Sequence, residues 1–355
     1  MHTGRVASCC LKTLSAWREL VVNASFQCYF DELVKPRAGM NPAPQTFPKA
    51  PADASEEAQM MIASFEGSMP RPNYDDPAVR QQIRPVIEAM WGSVTNYLDF
   101  DFTRRNEKLG GVNCTVFTPA ALKNKTQKLL YLHGGAYWLG SPEANSTVAL
   151  MMAHHSGLEV ISVDYRLAPE FPHPAGRDDA VAVYGALLGQ GYNASDIAMF
   201  GDSAGGGLAL MTALELRDHT SLPLPAALGL NCPWVNMAMD GDSYETVAAL
   251  DPILSVSGLA PAAAGYAGNL GITAPEVNAH KADLTGLPPM IIQVGTRDIL
   301  LSDAIRTAKQ ARLCGVDVEF EVFDGMWHVW HATPGLPEAE KATLDIATFL
   351  CNHMG

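Results

Sequence analysis

From about residue 95 onward, short apolar runs alternate with segments whose apolar residues recur at helical spacing. "VTNYLDFDF" (94–102) and "VNCTVFTP" (112–119) read as paired early strands. "KLLYL" (128–132), "EVISVDY" (159–165), "IAMF" (197–200), "AALGLN" (226–231), "PMIIQV" (289–294) and "VDVEFEVF" (316–323) follow as further strands. Helices are predicted between them over 143–156, 174–189, 204–217 and 302–314, with a last one near 337–352. Several strands are apolar on both faces, the pattern of a mostly parallel sheet sandwiched by helices. "VDVEFEVF" instead alternates acids with apolar residues, so it is expected at a sheet edge, with Glu319 and Glu321 guarding that edge against aggregation.

Two regions fall outside this alternation. Residues 1–94 show no strand pattern and read as a helical and irregular segment. Five prolines within 35–52 predict an extended surface stretch. Asp53 and Glu56 have the spacing of a capping box, and Asp76 with Pro77 reads as a helix start. Val79, Ile83, Ile87 and Met90 then mark one buried helix face, which Pro85 is expected to kink or to begin. The second region lies between "AALGLN" and "PMIIQV", a gap too long for a plain loop. Residues 238–286 are read as an insertion over the carboxyl edge of the sheet, forming a lid with the N-terminal helices; residues 95–355 otherwise make one α/β domain.

Composition narrows the function classes. Hydrophobic residues make up 48% of 355, enough for a sizeable core. A net charge of -14 argues against nucleic acid and against anionic membrane surfaces. No stretch has the length and bulk of a membrane span, and charged residues interrupt the first thirty residues, so a cytoplasmic protein is expected. The seven cysteines are scattered with no CxxC, which argues against a disulfide framework or zinc site.

The chemistry centres on "GDSAG" (201–205), a G-x-S-x-G pattern between a strand and a helix. A serine in so tight a turn projects its hydroxyl above the sheet, and only very small neighbours tolerate the close backbone approach. Ser203 is the candidate nucleophile. The amide of Ala204, at a helix start, is a candidate donor to an oxyanion. A serine hydroxyl needs a base. His328, in the loop after the last strand, is the candidate, and His331 is expected to start a helix or face solvent. The base needs an acid; Asp298 sits just past a strand, with Asp303 and Asp324 as alternatives. The order serine, aspartate, histidine is that of α/β-hydrolases. "LHGGAYW" offers Gly134 and Gly135 as oxyanion-hole amides beside Ala204, while His133 props that loop. Tyr137, Asp202, Trp234, Trp327 and Trp91 are candidate substrate contacts. Met60, Met61, Phe65, Met90, Met239, Leu254 and Tyr266 either line an acyl pocket or pack lid on core. No metal or organic cofactor is called for.

Taken together, "HGGAYWLGSP" (133–142), "DYRLAPEFPHPAGRDDA" (164–180), "GDSAGGGLAL" (201–210), "DLTGLPPMIIQVGTRDILLSDA" (283–304) and "GVDVEFEVFDGMWHVW" (315–330) resemble the hormone-sensitive-lipase-like branch of the α/β-hydrolases, the bacterial type IV esterases. The wording around 283–330 is most similar to acetyl hydrolases and monoterpene ε-lactone hydrolases. The resemblance covers about residues 95–352. It implies an eight-stranded, mostly parallel sheet with a helical cap and the triad Ser203, Asp298 and His328. It also implies a loop braced by Arg166 and Glu170, and pairing of two copies through the last strand. The implied activity is a serine carboxylesterase acting on short- to medium-chain esters without cofactor. Alternatives are a lactone hydrolase or natural-product deacetylase with the same triad, acyl transfer, or a non-enzymatic receptor like the plant gibberellin receptors. Those receptors have lost the histidine that this chain keeps at 328. One departure from the branch is Ala136, where many members have a third glycine.

Overall fold

The computed structural model describes residues 47–65 and 76–355. The early part of the proline-rich stretch (35–46), and Cys9, Cys10 and Cys28, lie outside the described residues.

Eight strands form one sheet: β1 (Phe102–Leu109), β2 (Val112–Pro119), β3 (Lys128–Leu132), β4 (Glu159–Val163), β5 (Ile197–Asp202), β6 (Leu228–Asn231), β7 (Met290–Gly295) and β8 (Val318–Phe323). Their spatial order is β1-β2-β4-β3-β5-β6-β7-β8. β2 runs antiparallel to both β1 and β4, and every other pair is parallel. The central strands β3, β5, β6 and β7 are buried at every position, which is why they read as largely apolar runs. As expected, β8 is an edge strand.

The helices are α1 (Glu56–Ser64), α2 (Pro77–Ser93), α3 (Ser146–Ser156), α4 (Ala175–Gly189), α5 (Ala204–His219), α6 (Ser243–Thr246), α7 (Val256–Ala267), α8 (Leu301–Leu313) and α9 (Pro337–His353). Alternate residues of the strands feed two cores. Leu130, Leu132, Met199, Leu230 and Ile292 face α4, α5 and α8. Leu129, Tyr131, Ala198, Phe200 and Ile291 face α3 and α9. Among the described residues no helix is long and apolar enough to cross a membrane.

The first strand differs from expectation. Residues 94–97 form a 3-10 turn, and β1 is the charged run "FTRRNEKL". As the other edge of the sheet it buries only Leu109 fully, so it carries no hydrophobic alternation. It is fastened by charge: Arg105 pairs with Glu159, and Arg104 with Glu143. Gly110 and Gly111, both at positive φ (57° and 87°), close the hairpin to β2. α2 begins at Asp76–Pro77 as read, but it runs through Pro85 to Ser93 as one helix.

α1 is capped by Ser55, not Asp53. The Ser55 hydroxyl accepts from the N–H of Ala58 at 3.0 Å, and both its N–H and its hydroxyl donate to the Glu338 carboxylate at 2.8 Å. Ala58, Met61, Ile62 and Phe65 recur at helical spacing and are buried against Met326, Trp327 and Trp330. One serine thus joins α1 to the start of α9. Ser55→Ala is expected to destabilise the protein by about 1–2 kcal/mol in equilibrium denaturation. An unchanged denaturation midpoint would contradict this anchoring.

Candidate active site

The turn from β5 into α5 is where the sequence leaves the backbone least freedom. Ser203 has φ 55° and ψ −123°, a region where an L side chain is strained by about 1–3 kcal/mol. Three hydrogen bonds hold it there. Its N–H donates to the Asn231 carbonyl (2.8 Å), and its carbonyl accepts from the N–H of Trp234 (2.9 Å) and of Gly207 (3.1 Å). The glycines around it answer a steric demand. A Cβ at Gly205 would lie 1.9 Å from the Leu132 carbonyl oxygen, one at Gly201 would lie 2.3 Å from the Gly205 oxygen, and one at Gly207 would lie 2.1 Å from the Trp234 oxygen.

Ser203, Asp298 and His328 come from three separate loops at the carboxyl end of the sheet. The Ser203 hydroxyl lies 2.8 Å from Nε2 of His328, and Nδ1 of His328 lies 2.7 Å from Oδ2 of Asp298. Asp298 is fully buried, and its Oδ1 accepts from the N–H of Leu300 at 2.8 Å. With Asp298 on Nδ1, the imidazole keeps its proton there and presents a free lone pair to the serine. Burial disfavours the imidazolium. The charge of Asp298 and its hydrogen bond, backed by Asp251 and Asp202, outweigh burial, so the His328 pKa lies above its ordinary 6.5.

The alternatives to these residues have other duties. Asp303 is buried under Val235, Asn236 and Tyr244, and burial pushes its carboxyl up to about 8. Asp324 is exposed and accepts from the Thr296 hydroxyl. His331 does not face solvent. It is fully buried with Nε2 2.9 Å from Oε1 of Gln293, and burial takes its pKa down to about 3.

The oxyanion loop departs from expectation at one position. The N–H of Gly134 donates to Oδ1 of Asp202 at 3.2 Å, so that amide is committed within the protein. Asp202 also accepts from the Tyr131 hydroxyl. Gly135, Ala136 and Tyr137 follow at φ 123°, 52° and 63°, and the amides of Gly135, Ala136 and Ala204 have no protein acceptor among the described residues. His133 supports the loop as read: it is buried, stacked on Tyr165 at 4.2 Å, and close to the Gly134 carbonyl. Burial lowers its pKa to about 4, so it is neutral.

The expected substrate contacts turn out mostly to be packing. Tyr137 is buried, stacks on Tyr266 at 3.7 Å and donates its hydroxyl to the Trp234 carbonyl. Trp234 is fully buried. Trp327, next to His328, is buried and meets Phe65 edge-on at 5.5 Å. Trp91 is half-buried against the main core. Asp202 holds the loop, as described. Arg166 pairs with Asp179 rather than with Glu170, which is exposed.

Sequence reasoning missed Cys232 and Asp251. Cys232 follows β6 at φ 46°, with its sulfur within 4.8 Å of a carboxylate oxygen of Asp298 and a ring nitrogen of His328. Burial first, then the charge of Asp298, pushes its thiol pKa well up, so it stays protonated beside the acid. Asp251 is fully buried and, through Ile299, touches the turn that carries Asp298. An aspartate before a proline reads only as a turn, so nothing local signals its burial.

Residues 129–332 match the family of the alpha/beta hydrolase fold. The chain is 35% identical to an acetyl-hydrolase of Streptomyces hygroscopicus over 77% of this chain and 96% of that one. It is 36% identical to an esterase of Acinetobacter venetianus over 64% of this chain and 76% of that one. Among solved structures, it resembles an esterase of the bacterial hormone-sensitive lipase family with 37% identity and a TM-score of 0.75, covering 83% of this chain and 96% of that one. It resembles EstE5 with 31% identity and a TM-score of 0.78, covering 84% and 99%. The chain therefore belongs to the α/β-hydrolase fold family, in its hormone-sensitive-lipase-like esterase branch. It is a carboxylic ester hydrolase.

Gly205→Ala forces a methyl group into the Leu132 carbonyl and is expected to destabilise the fold by about 3 kcal/mol. Wild-type melting behaviour of that variant would contradict the packing described for this turn.

Proposed function

We propose that the protein is a serine carboxylesterase working through an acyl-enzyme. The observation that carries this reading is the unbroken chain of hydrogen bonds from Ser203 through His328 to Asp298, at 2.8 and 2.7 Å. Ser203 Oγ attacks the ester carbonyl carbon while Nε2 of His328 takes its proton. The carbonyl electron pair moves onto oxygen, where the amides of Gly135, Ala136 and Ala204 receive it. Ala136 replaces Gly134 in the expected set because the Gly134 amide is spent on Asp202. Gly135, Ala136 and Tyr137 stand in succession at positive φ, and Ala204 opens helix α5, where the helix dipole favours negative charge. Collapse of the intermediate expels the alkoxide, which takes the proton from His328 and leaves as alcohol. Water then attacks the acyl-enzyme, giving its proton to His328, and the acid is released with Ser203 restored.

The connection 232–289 and helix α1 act as a cap over this site. Tyr266 of α7 stacks on Tyr137 of the oxyanion loop, and Phe65, just after α1, packs on Trp327 beside the base. These contacts seat the cap directly on the oxyanion loop and beside the base. The likeness to an acetyl-hydrolase over nearly its whole length supports acetyl esters as the first substrates to assay. The four cysteines of the described residues are free, which suits a reducing cytoplasm. The open edge of β8, where Val322 is 46% exposed, suits pairing with a second copy.

Two outcomes test the mechanism. Ser203→Ala should lower kcat on p-nitrophenyl butyrate by about 10⁴-fold or more while the variant remains folded; retained turnover refutes the assignment. The base must be neutral to accept a proton, and its pKa is raised, so kcat/KM should fall on the acid side with a midpoint above pH 6.5. A midpoint below 6.5 would contradict the electrostatics of the site.

A further inference from the structure

The connection between β6 and β7 grips the residue after Asp298 from both sides. Asp251 accepts at Oδ1 from the N–H groups of Ile253 and Leu254, each at 2.8 Å, and at Oδ2 from the N–H of Ile299 at 2.9 Å. Ser243, on α6, donates its hydroxyl to the carbonyl of Ile299 at 2.6 Å and accepts from the N–H of Ser302 at 3.0 Å. Both backbone polar groups of Ile299 are thus held by side chains of the connection. Ile299 directly follows Asp298, whose own Oδ1 takes the next N–H, that of Leu300. The turn that aims Asp298 is therefore set partly from outside its own loop.

We propose that Asp251 is a positioning residue for ester hydrolysis: with Ser243 it fixes the peptide beside Asp298, so aiming that carboxylate at His328, and its own carboxylate favours the imidazolium formed when Ser203 gives up its proton. This rests on the serine esterase reading above. A buried carboxyl beside another is costly. Burial, and then the charge of Asp298, push Asp251 up to about 7, against the pull of its backbone donors. The three N–H donors engage both oxygens of Asp251, so a carboxylate fits there where the amide of Asn would turn an N–H2 group toward one of them.

The imidazole of His328 is faced by Asp298 from the turn after β7 and by Asp251 from the connection. It is also faced by Asp202 from the end of β5, by Cys232 from the end of β6 and by His331 from its own loop. Cys232 is a protonated thiol and His331 is neutral, so the three carboxyl groups set the sign of the field. Removing the charge at 251 leaves burial less opposed and lowers the His328 pKa.

The test is Asp251→Asn in the full chain, with p-nitrophenyl butyrate. We expect kcat to fall about 10–100-fold, as for a misplacement of the catalytic group on the ångström scale, with KM nearly unchanged. We also expect the acid limb of kcat/KM to move to lower pH. Wild-type kcat overturns the proposal, and so does a reduced kcat with an unmoved acid limb, which is what loss of packing alone produces. Should this variant fail to fold, Ser243→Ala probes the same grip through the Ile299 carbonyl. It should lower kcat about tenfold with the acid limb in place, and an unchanged kcat overturns the proposal. Wild-type turnover that survives Ser203→Ala sinks the underlying esterase reading instead, so the two failures are distinguishable.

Discussion

The carbonyl oxygen of Leu132, at the end of β3, and the α-carbon of Gly205, at the start of α5, approach so closely that no side chain fits between them. The nucleophile turn depends on this contact. Because α5 seats directly against β3, the chain must reverse within one residue, and Ser203 occupies that residue at positive φ. The strain there is maintained by hydrogen bonds from β6 and from the segment after it. The same approach brings the "HGGA" loop, which leaves β3, beside the first amide of α5. The proposed nucleophile and the proposed oxyanion donors thus arise from one steric constraint.

A second level of organisation is electrostatic. Asp202, Asp251 and Asp298 are all buried and all raise the His328 pKa. Each is satisfied by donors: Asp202 by Tyr131 and Gly134, Asp251 by three amides, and Asp298 by Leu300 and the imidazole. Unpaired buried carboxylates would be prohibitive. Paired with fixed dipoles, they form a preorganised negative environment for the cation that appears during proton transfer. Asp202 links this environment to the oxyanion loop, and Asp251 links it to the connection between β6 and β7.

Much of this was legible in the sequence, and the reasons are physical. Central strands buried on both faces leave largely apolar runs, so β3, β5, β6 and β7 could be read directly. The glycines around Ser203 follow from backbone crowding, so the turn could be read from residue size alone. β1 could not be read from hydrophobicity, because ion pairs rather than burial hold it; the Gly110–Gly111 pair was its one signal. The cap at Ser55 depends on Glu338, far away in the chain. The direction of the Gly134 amide, the burial of His331 and the grip of Asp251 on Ile299 arise only when separate loops meet. Spacing within one segment carries no trace of them.

We propose that the Oγ of Ser203, strained into place and served by His328, is the atom that bonds to substrate. A p-nitrophenyl phosphonate ester tests this most directly, because it forms a stable analogue of the tetrahedral intermediate on a reactive serine. Stoichiometric release of p-nitrophenol is expected, with a single adduct found by peptide mass spectrometry on Ser203. Labelling at another residue, or no labelling by an enzyme that still hydrolyses esters, would contradict the account.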